Sequence, residues 1–183
     1  MTFEEKLSKL FGLNDNTWLN HATAASVITR GFIPPMITFA ALSRVWIGNW
    51  WWVLFGVIIL WTFLNTRVFP KAKSYDNWYA RGAFGERVYA ARKKVPIPSH
   101  HESFAKKLTG LNALFSVVWI YGLIVLNFEI AITGTLLQLT AKFWFIDRMV
   151  WLYNDMYDHP EYIHLKEIVE GKSLMDKTKY KIN

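Results

Sequence analysis

Apolar positions along this chain fall into two long blocks with a basic stretch between them. The first block runs from Ala24 to Leu64, broken only by Arg30, Arg44 and Asn49; the second runs from Leu111 to Ile146, broken mainly by Asn127, Glu129 and Lys142. Each is longer than one buried core helix needs, and each reads as two membrane spans joined by a short turn. In lipid every backbone polar group needs an internal partner, so helices are the expected spanning element. The pattern predicts an all-α polytopic membrane protein with four transmembrane helices arranged as two hairpins. The spans are expected over about 24–43, 50–64, 111–126 and 130–153.

Local signals refine those boundaries. Pro34-Pro35 removes two backbone donors, so the first span is expected to be broken, its second piece starting at the prolines. Gly48-Asn49 and Asn127-Phe128-Glu129 read as turns. A single tilted span over 31–64 is the alternative; it gives three spans and splits the termini across the membrane. Thr2 and Glu5 have capping-box spacing, and Phe3, Leu7, Leu10 and Phe11 share a helical face. A short N-terminal amphipathic helix over 1–12 is expected, without the apolar segment of a signal peptide. Residues 65–110 read as a basic cytoplasmic loop and 155–183 as a polar tail whose end, Lys177 to Asn183, frays. All of it belongs to a single membrane domain, 1–183.

Composition sharpens the picture at two points. Ten Trp are present, and Trp46, Trp50, Trp51 and Trp52 form an aromatic belt at the expected outer surface. Residues 65–110 hold ten basic and three acidic side chains, whereas the two expected turns carry only Arg44 and Glu129. The positive-inside rule then puts the central loop in the cytoplasm and, with an even number of spans, both termini too, in the inner membrane. Topology and anionic lipid account for this charge, so membrane lipids are the expected partners and nucleic acid is not. A membrane-protein partner or a homo-oligomer stays open. The absence of cysteine excludes disulfides and thiolate metal sites. No Gly-rich phosphate loop and no nucleophile elbow is present.

Placing the unusual polar residues by depth brings them to one side. At 1.5 Å per residue, Asp147 lies roughly 25 Å along the fourth span, near its cytoplasmic end, with Arg148 beside it and Asn154 and Asp155 two turns on. Arg30 enters the first span near the same boundary, and Asn20 and His21 lie just outside it. Glu86, His100 and His101 belong to the loop on that side. Ionisable groups at such depth usually face a partner or a wet cavity.

Four segments carry a resemblance: Asn20-His21, Phe84-Gly85-Glu86-Arg87-Val88, Val95-Pro96-Ile97-Pro98-Ser99-His100-His101, and Phe145 to Leu152. Together they resemble the recurring motifs of an uncharacterised, domain-of-unknown-function family of small prokaryotic multi-pass membrane proteins, over roughly residues 5–157. The resemblance implies the fold and the importance of these positions, and supplies no activity. Where relatives tend to carry Pro after the histidine, this chain has Ala22-Thr23-Ala24.

Each polar residue taken alone has a plain explanation. Adjacent histidines on an extended strand point to opposite sides, so His100 and His101 reach one ion only if a turn aims both. Asp147-Arg148 reads as a structural pair, with Arg30 as a bridge to the first span. Taken jointly, His21, His100, His101, Glu86 and Asp147 supply three imidazoles and two carboxylates, a set that suits a non-haem Fe, Mn or Zn site. Asn20, Arg30, Arg148 and Asp155 would orient those ligands or neutralise an anionic headgroup, and Asp147 and Glu86 would carry protons. The repeated histidine boxes of membrane desaturases are missing, and His159 and His164 sit on the polar tail. The leading expectation is a membrane-embedded metal-dependent enzyme acting on a lipid or hydrophobic small molecule at the cytoplasmic leaflet. A non-enzymatic scaffold or subunit of a larger complex is the alternative, and a small transporter or pore the third.

Overall fold

The computed structural model describes residues 15–172, and every regular element among them is helical. The expected amphipathic helix over 1–12 and the frayed end at Lys177–Asn183 lie outside the described residues. The helices are α1 (Asp15–His21), α2 (Ala24–Gly31), α3 (Ile33–Ile47), α4 (Trp51–Val68), α5 (Trp78–Ala90), α6 (Ser99–Ile124), α7 (Phe128–Met156) and α8 (Ile163–Val169). Short 3-10 turns occupy Gly48–Trp50 and Pro160–Tyr162.

Proline chemistry fixes the first break. Pro34 and Pro35 sit in the first turn of α3, where their missing N–H groups leave no helical hydrogen bond unmade, and the chain bends at Phe32 between α2 and α3. Gly48, at φ 54°, then turns the chain, and α3 and α4 pack against each other. The turn between α6 and α7 falls on Val125–Asn127, two residues before the expected position: Leu126 takes the left-handed φ of 55°, and Asn127 caps α7 by accepting from the Ile130 N–H at 2.9 Å. Asn127→Ala is expected to cost about 1 kcal/mol. In a chain of this size that lowers the detergent-phase thermal midpoint by roughly 2–4 °C.

The basic stretch is more structured than a loop. Asn77 caps α5, accepting from the Ala80 N–H at 3.0 Å. Pro96 and Pro98 separate α5 from α6, and α6 starts at Ser99, twelve residues ahead of the expected span. The expected polar tail is likewise folded in part, since Tyr162, Leu165 and Val169 are buried.

The buried core lies where α5, the C-terminal half of α7 and α8 meet, built on Phe84, Met149, Leu152, Tyr153 and Leu165. The apolar blocks behave differently. Ala24–Val68 and Ser99–Ile124 are long and apolar enough to cross a membrane, yet only 6% and 11% of their most apolar windows are buried. They are therefore not core helices. Phe39, Trp50, Val57, Leu60, Val117 and Ile124 are each more than half exposed, an outward apolar surface that lipid satisfies and water does not.

Polar side chains inside these blocks find one another. Thr38 and Thr135 share a hydroxyl–hydroxyl bond of 2.6 Å, and the Trp119 indole N–H donates to Thr38 Oγ1 at 2.8 Å, joining α3, α6 and α7. Asn65 of α4 accepts from Ser26 at 2.6 Å and donates to Thr29 at 2.7 Å, both on α2. Arg44 Nη2 donates to the Leu123 and Ile124 carbonyls at 2.6 and 2.7 Å, so a side chain of α3 closes the C-terminal end of α6. Hydrogen bonds of this kind hold apolar helices together where burial from water offers no drive.

Helix α7 is gripped from two sides by backbone contact. A Cβ on Gly134 would stand 2.5 Å from Trp119 Cα on α6, and one on Gly85 of α5 would stand 1.9 Å from the Met149 carbonyl oxygen. No side chain fits at either crossing.

Candidate functional site

The seven residues singled out from the sequence separate into groups around α7 rather than converging on one point. The first group starts at the N-terminal turn of α6. Pro98 precedes the helix, so His100 and His101 lie in its first turn and not on an extended strand. Successive helical positions differ by about 100°, which lets two neighbouring rings lean the same way. Their centroids are 4.1 Å apart. Both face Asp155 near the end of α7: Asp155 Oδ2 is 2.7 Å from His101 Nε2 and 3.8 Å from His100 Nε2.

Among the described residues this is the one set of three or more ligand-type side chains whose donor atoms all lie within 4.8 Å of one another. His101 is buried; His100 and Asp155 are exposed. The three line a cavity of about 350 Å³ completed by Phe104, Arg148 and Trp151. Arg148 is cradled by rings, its guanidinium carbon 4.7 Å from the Trp151 centroid and 5.3 Å from that of Phe104. It also meets Asp147 Oδ2 at 3.2 Å. Two imidazoles and a carboxylate on one side of a cavity, with a cation on its wall, are a donor set for a divalent ion beside an anionic substrate group.

The second group joins α1, α2, α5 and α7. His21 ends α1 and is nearly buried, its ring edge-on to Trp18 at 5.0 Å. The Arg30 guanidinium lies against the His21 ring, donates from Nη2 to the His21 carbonyl at 2.9 Å, and from Nε to the Ser26 carbonyl at 3.1 Å. Glu86 of α5 faces them, with Oε2 3.6 Å from His21 Nε2 and Oε1 3.4 Å from Lys142 Nζ of α7. Burial, and then the Arg30 charge, push the His21 pKa down to about 4, so the ring is neutral at neutral pH. Burial alone would raise the Glu86 carboxyl, but Lys142, His21 and Arg30 together overcome it and hold the group well below the usual carboxylate range.

Asp147 belongs to neither group as a ligand. It accepts from the Trp78 indole N–H at 3.3 Å and pairs with its neighbour Arg148. The expected pairing of Asp147 with Arg148 is present, but Arg30 does not bridge to it; Arg30 is engaged by His21 and Ser26. A single five-ligand centre is thus not assembled: His21 and Glu86 meet each other, His100 and His101 meet Asp155, and Asp147 stands apart. Two residues carry more than their sequence context indicates. Asp155, read as an orienting group, is the carboxylate facing both histidines, and Lys142, read only as an interruption of an apolar block, is the charge partner of Glu86. His159 caps the 3-10 turn after α7, accepting from the Glu161 N–H.

Residues 2–163 match the family model described as a family of unknown function (DUF6653). No curated protein and no solved structure matches the chain.

Proposed function

We propose that this chain, which belongs to the family of unknown function DUF6653, is a metal-dependent enzyme of the inner membrane. In this reading it works on a lipid or another hydrophobic small molecule at the cytoplasmic leaflet. α3 with α4 and α6 with α7 form two antiparallel hairpins that span the bilayer, with both termini and the basic segment cytoplasmic. The positive charge of residues 65–110, the outward apolar surface of the two long stretches and the close packing of α3 on α4 and α6 on α7 support that topology.

The observation that carries the enzymatic reading is the meeting of His100, His101 and Asp155 from two different helices at one cavity wall. Two nitrogens and one carboxylate oxygen fit Fe, Mn or Zn while leaving coordination positions for other ligands. A divalent ion there supplies a Lewis acid able to activate water or oxygen. The chain's own contribution is separable. Arg148, held between Phe104 and Trp151, neutralises an anionic group of the substrate, and Trp151, more than half exposed, offers a surface along which an apolar chain enters. Asp147 keeps the guanidinium in place.

Elemental analysis of the detergent-purified protein, loaded in turn with Fe, Mn and Zn and then desalted, tests this. Wild type is expected to retain about one ion per chain, His101→Ala and Asp155→Ala to lose at least ~90% of it, and Asp147→Asn to keep it. Wild type retaining none of the three metals, or all three variants retaining as much as wild type, overturns the proposal. The competing, purely structural reading rests on the 2.7 Å His101–Asp155 contact, which ties α6 to α7. Under it the same substitutions lower the thermal midpoint and leave metal content unchanged.

A further inference from the structure

α7 faces a second cavity with its other side. This one is about 200 Å³ and is bounded by Arg30, Glu86 and Lys142 on its polar side and by Val27, Ile33 and Ile146 on its apolar side. Its charges do not balance. Arg30 and Lys142 are cationic, Glu86 is anionic and His21 beside them is neutral, which leaves one positive charge in excess. The charged groups that act most strongly on Glu86 and His21 are Arg30, Lys142 and one another.

The cluster is also open in its geometry. Charge-assisted hydrogen bonds contract to about 2.7–2.9 Å, whereas Glu86 stands 3.4 Å from Lys142 and 3.6 Å from His21. Arg30 is fixed by two backbone carbonyls, while the Lys142 side chain is 44% exposed and held only by its 3.4 Å contact with Glu86 among the contacts of this cluster. An uncompensated charge on a partly apolar wall is costly, and an anion that enters removes the cost. Ile33 begins α3, and the residues before it and one turn after it, Phe32 and Met36, are 50% and 37% exposed on the apolar surface. A cavity of this size, with its cations on one side and Val27, Ile33 and Ile146 on the other, suits a small anionic headgroup attached to an apolar chain.

We propose that this cavity binds the anionic head of a single-chain amphiphile, a fatty carboxylate or a phosphate monoester, with Arg30 and Lys142 as its cationic partners and the alkyl chain leaving along Phe32 and Met36. Glu86 occupies the cationic pair in the empty state and tunes the affinity by competing with the ligand. This site is independent of the His100–His101–Asp155 cluster and stands whether or not that cluster holds a metal.

Equilibrium binding to the full chain in uncharged detergent decides it, with radiolabelled palmitate, palmitoyl lysophosphatidate and inorganic phosphate as probes. One or both amphiphiles are expected to bind saturably at one site, and which of the two does so assigns the head as carboxylate or phosphate. Lys142→Gln is expected to weaken binding at least ~10-fold and Lys142→Arg to keep it within ~3-fold. Glu86→Gln, which removes the competing charge, is expected to tighten it about 5-fold. His101→Ala leaves it unchanged. Thermal midpoints of each variant identify any that fail to fold, and the Lys142→Gln against Lys142→Arg comparison carries the test if Glu86→Gln is one of them. No saturable binding of either amphiphile by wild type overturns the proposal, as does equal binding by wild type, Lys142→Gln and Glu86→Gln. Inorganic phosphate binding as tightly as the amphiphiles overturns the part played by the alkyl chain.

Discussion

Gly85→Ala is expected to be the most damaging single-methyl change in this protein. The added Cβ would sit 1.9 Å from the Met149 carbonyl oxygen, and both atoms are fixed to helical backbone, so no rotamer change makes room. α5 must back away from α7, and with it go Phe84 and Val88, two fully buried members of the core. Overpacking of this kind costs about 3 kcal/mol, which in a chain of this length lowers the thermal midpoint by roughly 10 °C. Gly110 is the control: a Cβ there meets nothing within 4 Å. Gly110→Ala should be neutral or stabilising by up to about 1 kcal/mol through helix propensity. Thermal unfolding of the two variants in detergent checks both. A Gly85→Ala midpoint matching wild type would show that α5 does not pack on α7 at this distance.

The second large effect is acid sensitivity centred on His21. Its folded pKa is about 4 against an ordinary 6.5, so on acidification the unfolded chain takes up the proton first. The stabilisation is complete above pH 6.5 and declines as pH falls toward 4, by about 3 kcal/mol in all. Glu86, held below the ordinary carboxylate value of 4.5, adds a loss of the same sign once pH drops beneath that value. Thermal midpoints measured at pH 7.5, 6, 5 and 4.5 should fall monotonically. His21→Gln, which cannot titrate, should start lower and show a shallower decline between 6.5 and 4.5. Parallel curves for the two proteins would contradict the assignment.

Much of the fold was legible because it depends on local chemistry. Pro34 and Pro35 announce their break by what they lack, and Gly48 and Asn127 mark turns by what their backbone and side chain permit. The lengths of the apolar blocks, and the need of a lipid-embedded backbone for internal partners, carry the helical class. The start of α6 was misplaced because Ser99 to Gly110 is polar, and a hydropathy reading ends where the apolar run ends, even though the helix does not. The site was harder for a different reason. Which carboxylate meets His100 and His101 depends on how far α7 is rotated and shifted against α6. Asp147 and Asp155 differ by eight residues, about 12 Å of rise and 80° of turn, and nothing local in the sequence says at which height of α7 the first turn of α6 lies. Gly85 gave no sign of its role, because the backbone it accommodates belongs to Met149, far along the chain. Lys142 was overlooked because a lone cation in an apolar block looks like a flaw until its counter-charge, Glu86, is seen beside it.

α7 also acts as a ruler. It runs unbroken from Phe128 to Met156, and neighbouring backbones press against it at Gly134 and Met149, so it has little room to slide. Lys142 and Asp155, thirteen residues apart, are therefore separated by about 20 Å along the axis, on roughly opposite flanks. A compact molecule touches one of these stations or the other, never both. The two proposed sites would therefore be filled without collision, each read at its own depth by a different side of the same rod.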